Sequence, residues 1–342
     1  MRWPSARFVY ASAGGVLGAG LVSLFGGQRN ATGSRTPARI SADEFNAMQD
    51  SVLLSEAFDA SHRPWPNRPE RKKGVSPSGR DFNMTLYRMK GCPYCERVEW
   101  LLRYHLVPFE IVEVGPLTTK GFPDQRFVQV PQIGLEAVAD PNNPHAAEKS
   151  VAYVADSQHI IAAISAPLGF TKQLSDPRIM ETRKWMMERF QAAGFLAINS
   201  TWRDAYTTYP HVTPSHYYYQ NPIFHVVGAT ALYALAKYKV APRFAAEESA
   251  TSGFPSMENS LQRDPSAWLA AELSGFATRL SGGCHQLHGG KEPDIADVEM
   301  YGLTRIIDAH PRLRSALHEG PLKEWCAAME AALQKRTHVT KK

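Results

Sequence analysis

Two cysteines separated by two residues are the side chains of this sequence best suited to covalent chemistry. They belong to the segment Lys90-Gly91-Cys92-Pro93-Tyr94-Cys95, which joins a predicted strand to a predicted helix. At the start of a helix, unpaired backbone N–H groups and the helix dipole favour an anion. We therefore expect a lowered pKa for the Cys92 thiol and an enriched thiolate, which is the nucleophile. Cys95 would lie one turn further on the same face and could resolve a mixed disulfide, so Cys92 and Cys95 are the predicted catalytic residues.

Two other interpretations of this pair are a zinc site and an inert buried pair. A zinc site needs two more ligands, and the nearest cluster of the right type, Cys284, His285 and His288, lies far along the chain in a glycine-rich loop. We therefore predict no metal site and interpret those histidines as solvated. An inert pair would not explain the placement at a strand-to-helix junction.

Two further elements have the residue types of a glutathione site. Val130-Pro131 precedes a short predicted strand, and a cis proline there would expose the backbone of Val130 to a peptide-like ligand. Asp156-Ser157 begins a predicted helix, where an acid and a hydroxyl can hold the charged ends of a γ-glutamyl group. An ordinary strand-edge proline and a simple helix cap are the alternatives. The order of the three elements along the chain favours the ligand.

The elements that must position these residues follow from hydrophobic patterns. We predict a strand, a helix, a strand, two more strands and a helix, in the order of a thioredoxin fold: 84–89, 93–105, 109–114, 132–135, 150–154 and 157–164. The crossover rule makes the first βαβ unit parallel. From about Thr171 helical patterns dominate, over 179–190, 223–239, 264–280, 294–309 and 321–333. An α/β thioredoxin-like domain followed by an all-α domain is the glutathione-transferase architecture.

We predict domain boundaries at 1–40, 41–80, 81–170 and 171–342. Residues 41–58 have the pattern of one amphipathic helix, with a Ser41–Glu44 capping box and an apolar face formed by Phe45, Met48, Val52 and Leu53. Residues 61–80 are rich in proline and basic side chains and are interpreted as a linker. Later in the chain, Asp294 and Asp297 are predicted to cap a helix, and Cys326 is predicted to be inert.

The basic excess of the chain is confined to its N-terminal part. Residues 1–80 hold eleven Lys/Arg and six Asp/Glu, whereas the remainder holds 27 of each sign. This distribution argues against nucleic acid as a partner of the body. The sparse four cysteines fit a reducing compartment.

The segment Phe8–Gly27 is uncharged, long enough to span a bilayer, and flanked by arginines. It is interpreted as a membrane anchor, a mitochondrial presequence or, less readily, a secretory signal. We expect a membrane-associated protein, in mitochondria or else in the Golgi and other endomembranes.

Several segments resemble one family of glutathione-transferase-like proteins, the prostaglandin E synthase type 2 family. They are LYRMKGCPYCERVEWLLRYHLVPFEIVEV, the following VP, ADSQHIIAAI and GGKEPDIADVEMYGLTRII. The likeness covers roughly residues 82–335 and is weak between about 195 and 260. It implies a membrane-attached N-terminus, haem held with glutathione in some members, and glutathione contacts at Cys92, Val130, Pro131, Asp156 and Ser157.

The sequence departs from the pattern of this family at one position. Animal members have a tyrosine three residues before the first cysteine, where it assists prostaglandin endoperoxide isomerisation, and this sequence has Met89. We expect a glutathione-dependent isomerase, transferase or thiol oxidoreductase acting on a lipophilic substrate. The alternative is a non-catalytic scaffold subunit of a mitochondrial membrane assembly. The intact cysteine motif favours the enzyme, and a homodimer is compatible with either.

Overall fold

The computed structural model describes residues 39–59, 82–114, 121–137, 151–213, 221–242, 265–280, 286–320 and 322–339. The chain divides into two compact units, and the boundary in the sequence falls between Thr171 and Lys172. The predicted anchor Phe8–Gly27 and the linker 61–80 lie outside the described residues. Among the helices that the structure describes, none combines the length and the apolar character needed to cross a membrane.

The first unit begins with two short helices, α1 (Ala42–Ala47) and α2 (Ser51–Ala57). The predicted capping box between Ser41 and Glu44 is present. The prediction of one continuous helix is wrong, because Asp50 adopts an extended conformation and its carboxylate accepts from two N–H groups of α2. Phe45 and Leu53 are buried as predicted, whereas Met48 and Val52 are exposed, since the break changes the phase of the apolar face.

The sheet of the first unit has the order β2-β1-β3-β4. Its strands are β1 (Phe82–Arg88), β2 (Glu110–Glu113), β3 (Gln132–Ala137) and β4 (Val151–Ala155). β1 is parallel to β2, as predicted, and β3 is antiparallel to both of its neighbours. The helix α3 (Pro93–Tyr104) connects β1 to β2, and α4 (Ser157–Leu168) follows β4. This is the predicted thioredoxin-like arrangement.

Alternation and helical periodicity explain why these segments adopt their structures. Along β1, Phe82, Met84 and Leu86 are buried while the residues between them are more exposed, which is the period of a strand with one face in the core. α4 buries its isoleucines and continues to Leu168, beyond the predicted end. It ends at Gly169, whose φ of 79° is the left-handed conformation typical of a helix C-terminus.

The secondary structure described in the second unit is helical, as predicted, apart from an isolated bridge between Leu287 and Gly290. Its helices are α5 (Pro177–Trp185), α6 (Gln191–Ile198), α7 (Trp202–Thr208), α8 (Pro222–Leu235), α9 (Pro265–Arg279), α10 (Ile295–Ala309), α11 (Arg314–His318) and α12 (Lys323–Val339). One π-helical segment, Met186–Phe190, joins α5 to α6, and another, Ala236–Val240, extends α8. The short helices α7 and α11 were not predicted, because each is too short for a clear apolar period.

The start of α10 is fixed by a buried polar cluster. Asp294 caps the helix in a capping box with Asp297, as predicted. Asp297 also accepts from the backbone N–H of His288 at 2.9 Å and from the indole N–H of Trp325 at 2.8 Å. The prediction that His288 is solvated is wrong: it is fully buried, with Nδ1 2.6 Å from Asp294 and Nε2 3.0 Å from Thr182. His285 and Cys284 lie outside the described residues.

Candidate active site

Cys92 occupies the N-cap position of α3, as the sequence predicts. Its backbone is extended, and Pro93 fills the first helical position, where the missing N–H is not needed. The N–H of Cys92 donates to the carbonyl of Met89 at 3.1 Å, closing a tight turn. Gly91 has a φ of 68° inside that turn, a conformation that glycine adopts without steric cost. The turn therefore places the thiol at the junction between β1 and α3.

The two cysteines have opposite electrostatic surroundings although both are buried. The Cys92 sulfur makes no conventional capping hydrogen bond. Instead, the hydrogen bond from the Cys95 thiol, aided by the backbone N–H groups of Cys95 and Tyr94, lowers the pKa of Cys92 despite its burial. Burial, followed by the hydrogen bond to Cys92, raises the pKa of Cys95 well above its ordinary value. This arrangement makes Cys92 the more readily deprotonated of the two thiols and keeps the proton on Cys95.

The direction of the Cys92 pKa shift agrees with the prediction, but its main cause differs. The sequence argument assigned the shift to the helix terminus, whereas the neighbouring thiol is the largest contribution. Cys95 is therefore a hydrogen-bond donor to the nucleophile as well as a potential resolving thiol. Cys326, predicted to be inert, is buried in α12, and burial raises the pKa of its thiol to about 11.

An ionic cluster beneath the cysteine turn was missed by the sequence argument. Arg88, at the end of β1, pairs with Glu99 and lies 3.2 Å from Glu113 and 3.8 Å from Glu96. Burial, followed by the charge of Glu99, raises the pKa of Glu96. Because the charge of Glu96 opposes the Cys92 thiolate, the guanidinium of Arg88 offsets an unfavourable neighbour. Three acids and one arginine on adjoining elements were a signal available in the sequence.

Pro131 has the predicted cis peptide bond with Val130. The ladder between β3 and β4 begins at Gln132, so the backbone of Val130 lies beyond its end. The buried amide of Gln132 donates to the carbonyls of Phe127 at 3.2 Å and Gln129 at 2.8 Å, which holds the preceding loop. A ligand main chain could therefore continue the pairing pattern at Val130, as expected for a peptide-like ligand.

Asp156 and Ser157 begin α4 in different environments. Asp156 is the N-cap, and its Oδ1 accepts from the N–H of Gln158 at 2.8 Å. Its side chain is 46% exposed, and among the described residues Oδ2 has no hydrogen-bond partner. Ser157 is only 2% exposed, so its hydroxyl presents little surface to a ligand. Asp156 is thus the better placed of the two to receive an ammonium group.

The backbone of Asp156 is unusual for a residue with a side chain. Its φ is 76° and its ψ is 131°, a conformation that costs on the order of 1–3 kcal/mol and is found preferentially at functional sites. The N–H of Asp156 donates to the carbonyl of Pro131 at 3.2 Å. This bond joins the cis-proline loop to the start of α4.

The sheet brings the three predicted elements together at one end of its strands. In its register, Tyr87 of β1 pairs with Gln132 of β3, and Gln132 pairs with Ala155 of β4. The cysteine turn follows the first of these residues, the cis proline precedes the second, and Asp156 follows the third. The predicted catalytic and glutathione-binding residues therefore belong to neighbouring strand ends of a single sheet.

The described residues contain no group of three or more His, Cys, Asp or Glu side chains arranged to hold a metal ion. Haem, implied by the family resemblance, stays a prediction.

Comparisons with known proteins agree with this architecture. The family profile of the glutathione S-transferase N-terminal domain matches residues 86–133, a span that contains the cysteine motif and the cis proline. Prostaglandin E synthase 2 of Danio rerio is 22% identical over 286 residues, covering 78% of this chain and 75% of the relative. Prostaglandin E synthase 2 of Mus musculus is 23% identical over 351 residues, covering 94% and 88%.

Two examples of solved structures with a similar chain path, both in complex with glutathione, show the level of similarity. One is a glutathione S-transferase of Ceriporiopsis subvermispora, with 12% identity, a TM-score of 0.43 and coverage of 74% of this chain and 97% of that one. The other is glutaredoxin 2 of Salmonella typhimurium, with 14% identity, a TM-score of 0.40 and coverage of 73% and 94%. The sequence comparisons identify the chain as a distant homologue of prostaglandin E synthase 2 that carries a glutathione S-transferase N-terminal domain.

Proposed function

We propose that this protein is a glutathione-dependent thiol enzyme in which Cys92 is the nucleophile. The observation that carries the proposal is the pairing of a Cys92 thiol of lowered pKa with a Cys95 thiol of raised pKa. Both cysteines lie at the end of the sheet where Pro131 and Asp156 also lie. A scaffold would not require this electrostatic asymmetry.

The reaction that the site supports best is thiol–disulfide exchange. The Cys92 thiolate attacks the glutathione sulfur of a mixed disulfide, forming a Cys92–glutathione disulfide and releasing the substrate thiolate, which takes a proton from water. A second glutathione thiolate then attacks the glutathione sulfur bound to Cys92. This step releases oxidised glutathione and returns the Cys92 thiolate, so atoms and electrons balance over the cycle.

Cys95 acts in this scheme mainly through its proton. Its thiol is fully buried and its pKa is raised, so it is a poor nucleophile at neutral pH. It donates a hydrogen bond to the Cys92 thiolate in the resting enzyme. We therefore assign the resolving role to glutathione.

Asp156 and Val130 would orient the glutathione. The exposed carboxylate of Asp156 is suited to the α-ammonium group of the γ-glutamyl residue. The backbone of Val130, at the end of the sheet ladder, is suited to the peptide unit next to the glutathione sulfur. Ser157 could add its backbone N–H at the start of α4.

Endoperoxide isomerisation is the finer alternative for the same site. It is supported by the relationship to prostaglandin E synthase 2 and opposed by Met89, whose thioether cannot donate a hydrogen bond. We place thiol exchange first for this reason. A lipophilic substrate and a membrane location, mitochondrial in our preferred interpretation, are parts of this proposal that rest on the sequence of Phe8–Gly27 and on the resemblance.

The test is turnover of a glutathione mixed disulfide by the full-length protein, together with calorimetric titration of glutathione. Cys92→Ser should abolish turnover, whereas Cys95→Ser, which keeps a hydrogen-bond donor, should retain most of it. Equal activity of Cys92→Ser and the unaltered protein, or no binding of glutathione, would refute the proposal and favour a scaffold role.

A further inference from the structure

Helix α1 contacts the end of β4 immediately before Asp156. The N–H of Ala155 donates to Oδ1 of Asn46 at 2.8 Å, and Nδ2 of Asn46 donates to the carbonyl of Ala155 at 3.0 Å. A side-chain amide thus takes the place of a neighbouring strand. Because Ala155 is joined directly to Asp156, this pairing holds the backbone from which the Asp156 carboxylate projects.

The conformation of Asp156 requires such support. A residue with a side chain persists at a φ of 76° only where its surroundings hold it. The carbonyl of Pro131 accepts from its N–H on one side, and Asn46 holds the preceding residue on the other. These contacts restrain the backbone at and just before the strained residue.

Helix α1 also approaches the carboxylate itself. Nε2 of His159 lies 3.6 Å from the Asp43 carboxylate, and Nδ1 of the same ring lies 3.7 Å from Oδ1 of Asp156. The imidazole therefore stands between an acid of α1 and the acid proposed to bind glutathione. It links the two elements at the exposed side of the site.

The same N-terminal segment contacts the loop that leads to the cis proline. The N–H of Ile40 donates to the carbonyl of Arg126 at 3.2 Å, and Arg39 donates to the carbonyl of Gln125 at 3.0 Å. Phe45 stacks on Phe127, with ring centroids 4.9 Å apart. Residues 39–46 therefore contact both the end of β4 before Asp156 and the loop that leads to the cis proline.

We propose that residues 39–46 are a positioning element of the glutathione site, in which Asn46 holds Ala155 and Asp156 ready for the γ-glutamyl group. This inference rests on the proposed function. The element lies outside the span matched by the transferase domain, 86–133, and begins at the end of the predicted targeting segment 1–40. N-terminal processing that removes Asn46 would therefore weaken glutathione binding while leaving the cysteine motif intact.

The test compares Asn46→Ala with Gln49→Ala in the full-length protein. Gln49 is a matched control, because its Oε1 accepts from the N–H of Tyr153 at 3.1 Å on the same strand, two residues further from Asp156. Asn46→Ala should raise the Kd for glutathione roughly threefold to tenfold. This change corresponds to the free energy of about one hydrogen bond, since the two bonds of Asn46 act on the ligand only through the position of Asp156. Gln49→Ala should stay near the unaltered protein. Alkylation of Cys92 against pH should be unchanged in both, since neither contacts the cysteine turn.

Two outcomes would overturn the positioning role. One is an unchanged Kd in Asn46→Ala. The other is an equal loss of affinity and of thermal midpoint in both variants, which would show that the segment only supports the fold. If Asn46→Ala does not fold, Asn46→Asp replaces it. This variant keeps the acceptor for the N–H of Ala155 but sets a carboxylate oxygen, which cannot donate, against the carbonyl of Ala155, so its Kd for glutathione should rise as well.

A separate readout distinguishes failure of this inference from failure of the proposed function. If the unaltered protein binds no glutathione, the function fails. Amide hydrogen exchange at residues 155–157 still tests the element, because Asn46→Ala should accelerate it and Gln49→Ala should not. Equal exchange in the two variants would overturn the inference by itself.

Discussion

Replacing Cys95 with alanine should raise the pKa of Cys92. The hydrogen bond from the Cys95 thiol is the largest influence that lowers this pKa, and alanine cannot replace it. A hydrogen bond to a charged group contributes about 1.5–3 kcal/mol, and about 1.4 kcal/mol corresponds to one pKa unit. Because a thiol is a weak donor, we take the lower limit and expect a rise of about one unit.

The rate of alkylation reports this change. Below both pKa values, a rise of about one unit lowers the thiolate fraction about tenfold, but the remaining thiolate is more nucleophilic, with a Brønsted coefficient of about 0.4–0.5. The net effect is a slowing of about threefold to fourfold in the pH range below both pKa values. The assay is the rate of iodoacetamide reaction against pH, with the modified residue assigned by mass spectrometry.

Cys95→Ser is the matched control for this experiment. Serine has nearly the same size and keeps a donor, so the pH midpoint of Cys92 alkylation should stay low. If Cys95→Ala shows the same midpoint as the unaltered protein, the neighbouring thiol is not the cause, and the backbone N–H groups at the start of α3 account for the shift alone. If Cys95 reacts before Cys92, the assignment of roles is wrong.

Four further predictions follow from particular contacts. Asp156→Ala should weaken glutathione binding about tenfold or more, through loss of a charge-assisted contact; calorimetry that gives an unchanged Kd would remove Asp156 from the site. Met89→Tyr should raise endoperoxide isomerase activity, by up to the 10²–10⁴-fold typical of general acid assistance, with little change in the rate of thiol exchange. Rapid isomerisation by the unaltered protein that Met89→Tyr does not increase would contradict this role of residue 89. Deleting residues 1–38, which spares the contacts of Arg39, should release the protein from membranes in a sedimentation assay, and a deleted protein that still sediments with them would show another attachment. Burial, followed by the charge of Asp294, raises the pKa of Asp297 to about 6, so the folded protein binds this proton more tightly than the unfolded chain does. The contribution of Asp297 to the free energy of unfolding should therefore rise as the pH falls from about 6 towards 4. Urea titrations should show that Asp297→Asn removes this pH dependence.

Local signals predicted most of the first unit. The strand before Cys92, the N-cap position of that residue and the proline at the first helical position depend on neighbours in sequence, and the structure has all three. The cis bond at Pro131 was also predicted. The first three features follow from turn chemistry and from the period of apolar residues, which act over a few positions, whereas the cis bond was expected from the thioredoxin-like fold.

Contacts between distant segments were not predictable in the same way. Asn46 and Ala155 are 109 residues apart, and no local pattern marks an amide that will pair with a strand edge. The buried hydrogen bond of His288 is to Thr182, which belongs to α5 and lies more than a hundred positions away in the sequence. The break between α1 and α2 had a local signal in Asp50, but the apolar pattern around it outweighed that signal in the prediction.

The edge strand β4 is protected from other chains by the two amides that face it. Edge strands offer unpaired N–H and C=O groups to other chains and are a common route to aggregation. Here the N–H groups of Tyr153 and Ala155 are already bonded to Gln49 and Asn46. A protein shortened past these two residues would expose both donors on a strand that runs only from Val151 to Ala155, and we expect it to be more prone to self-association through this edge.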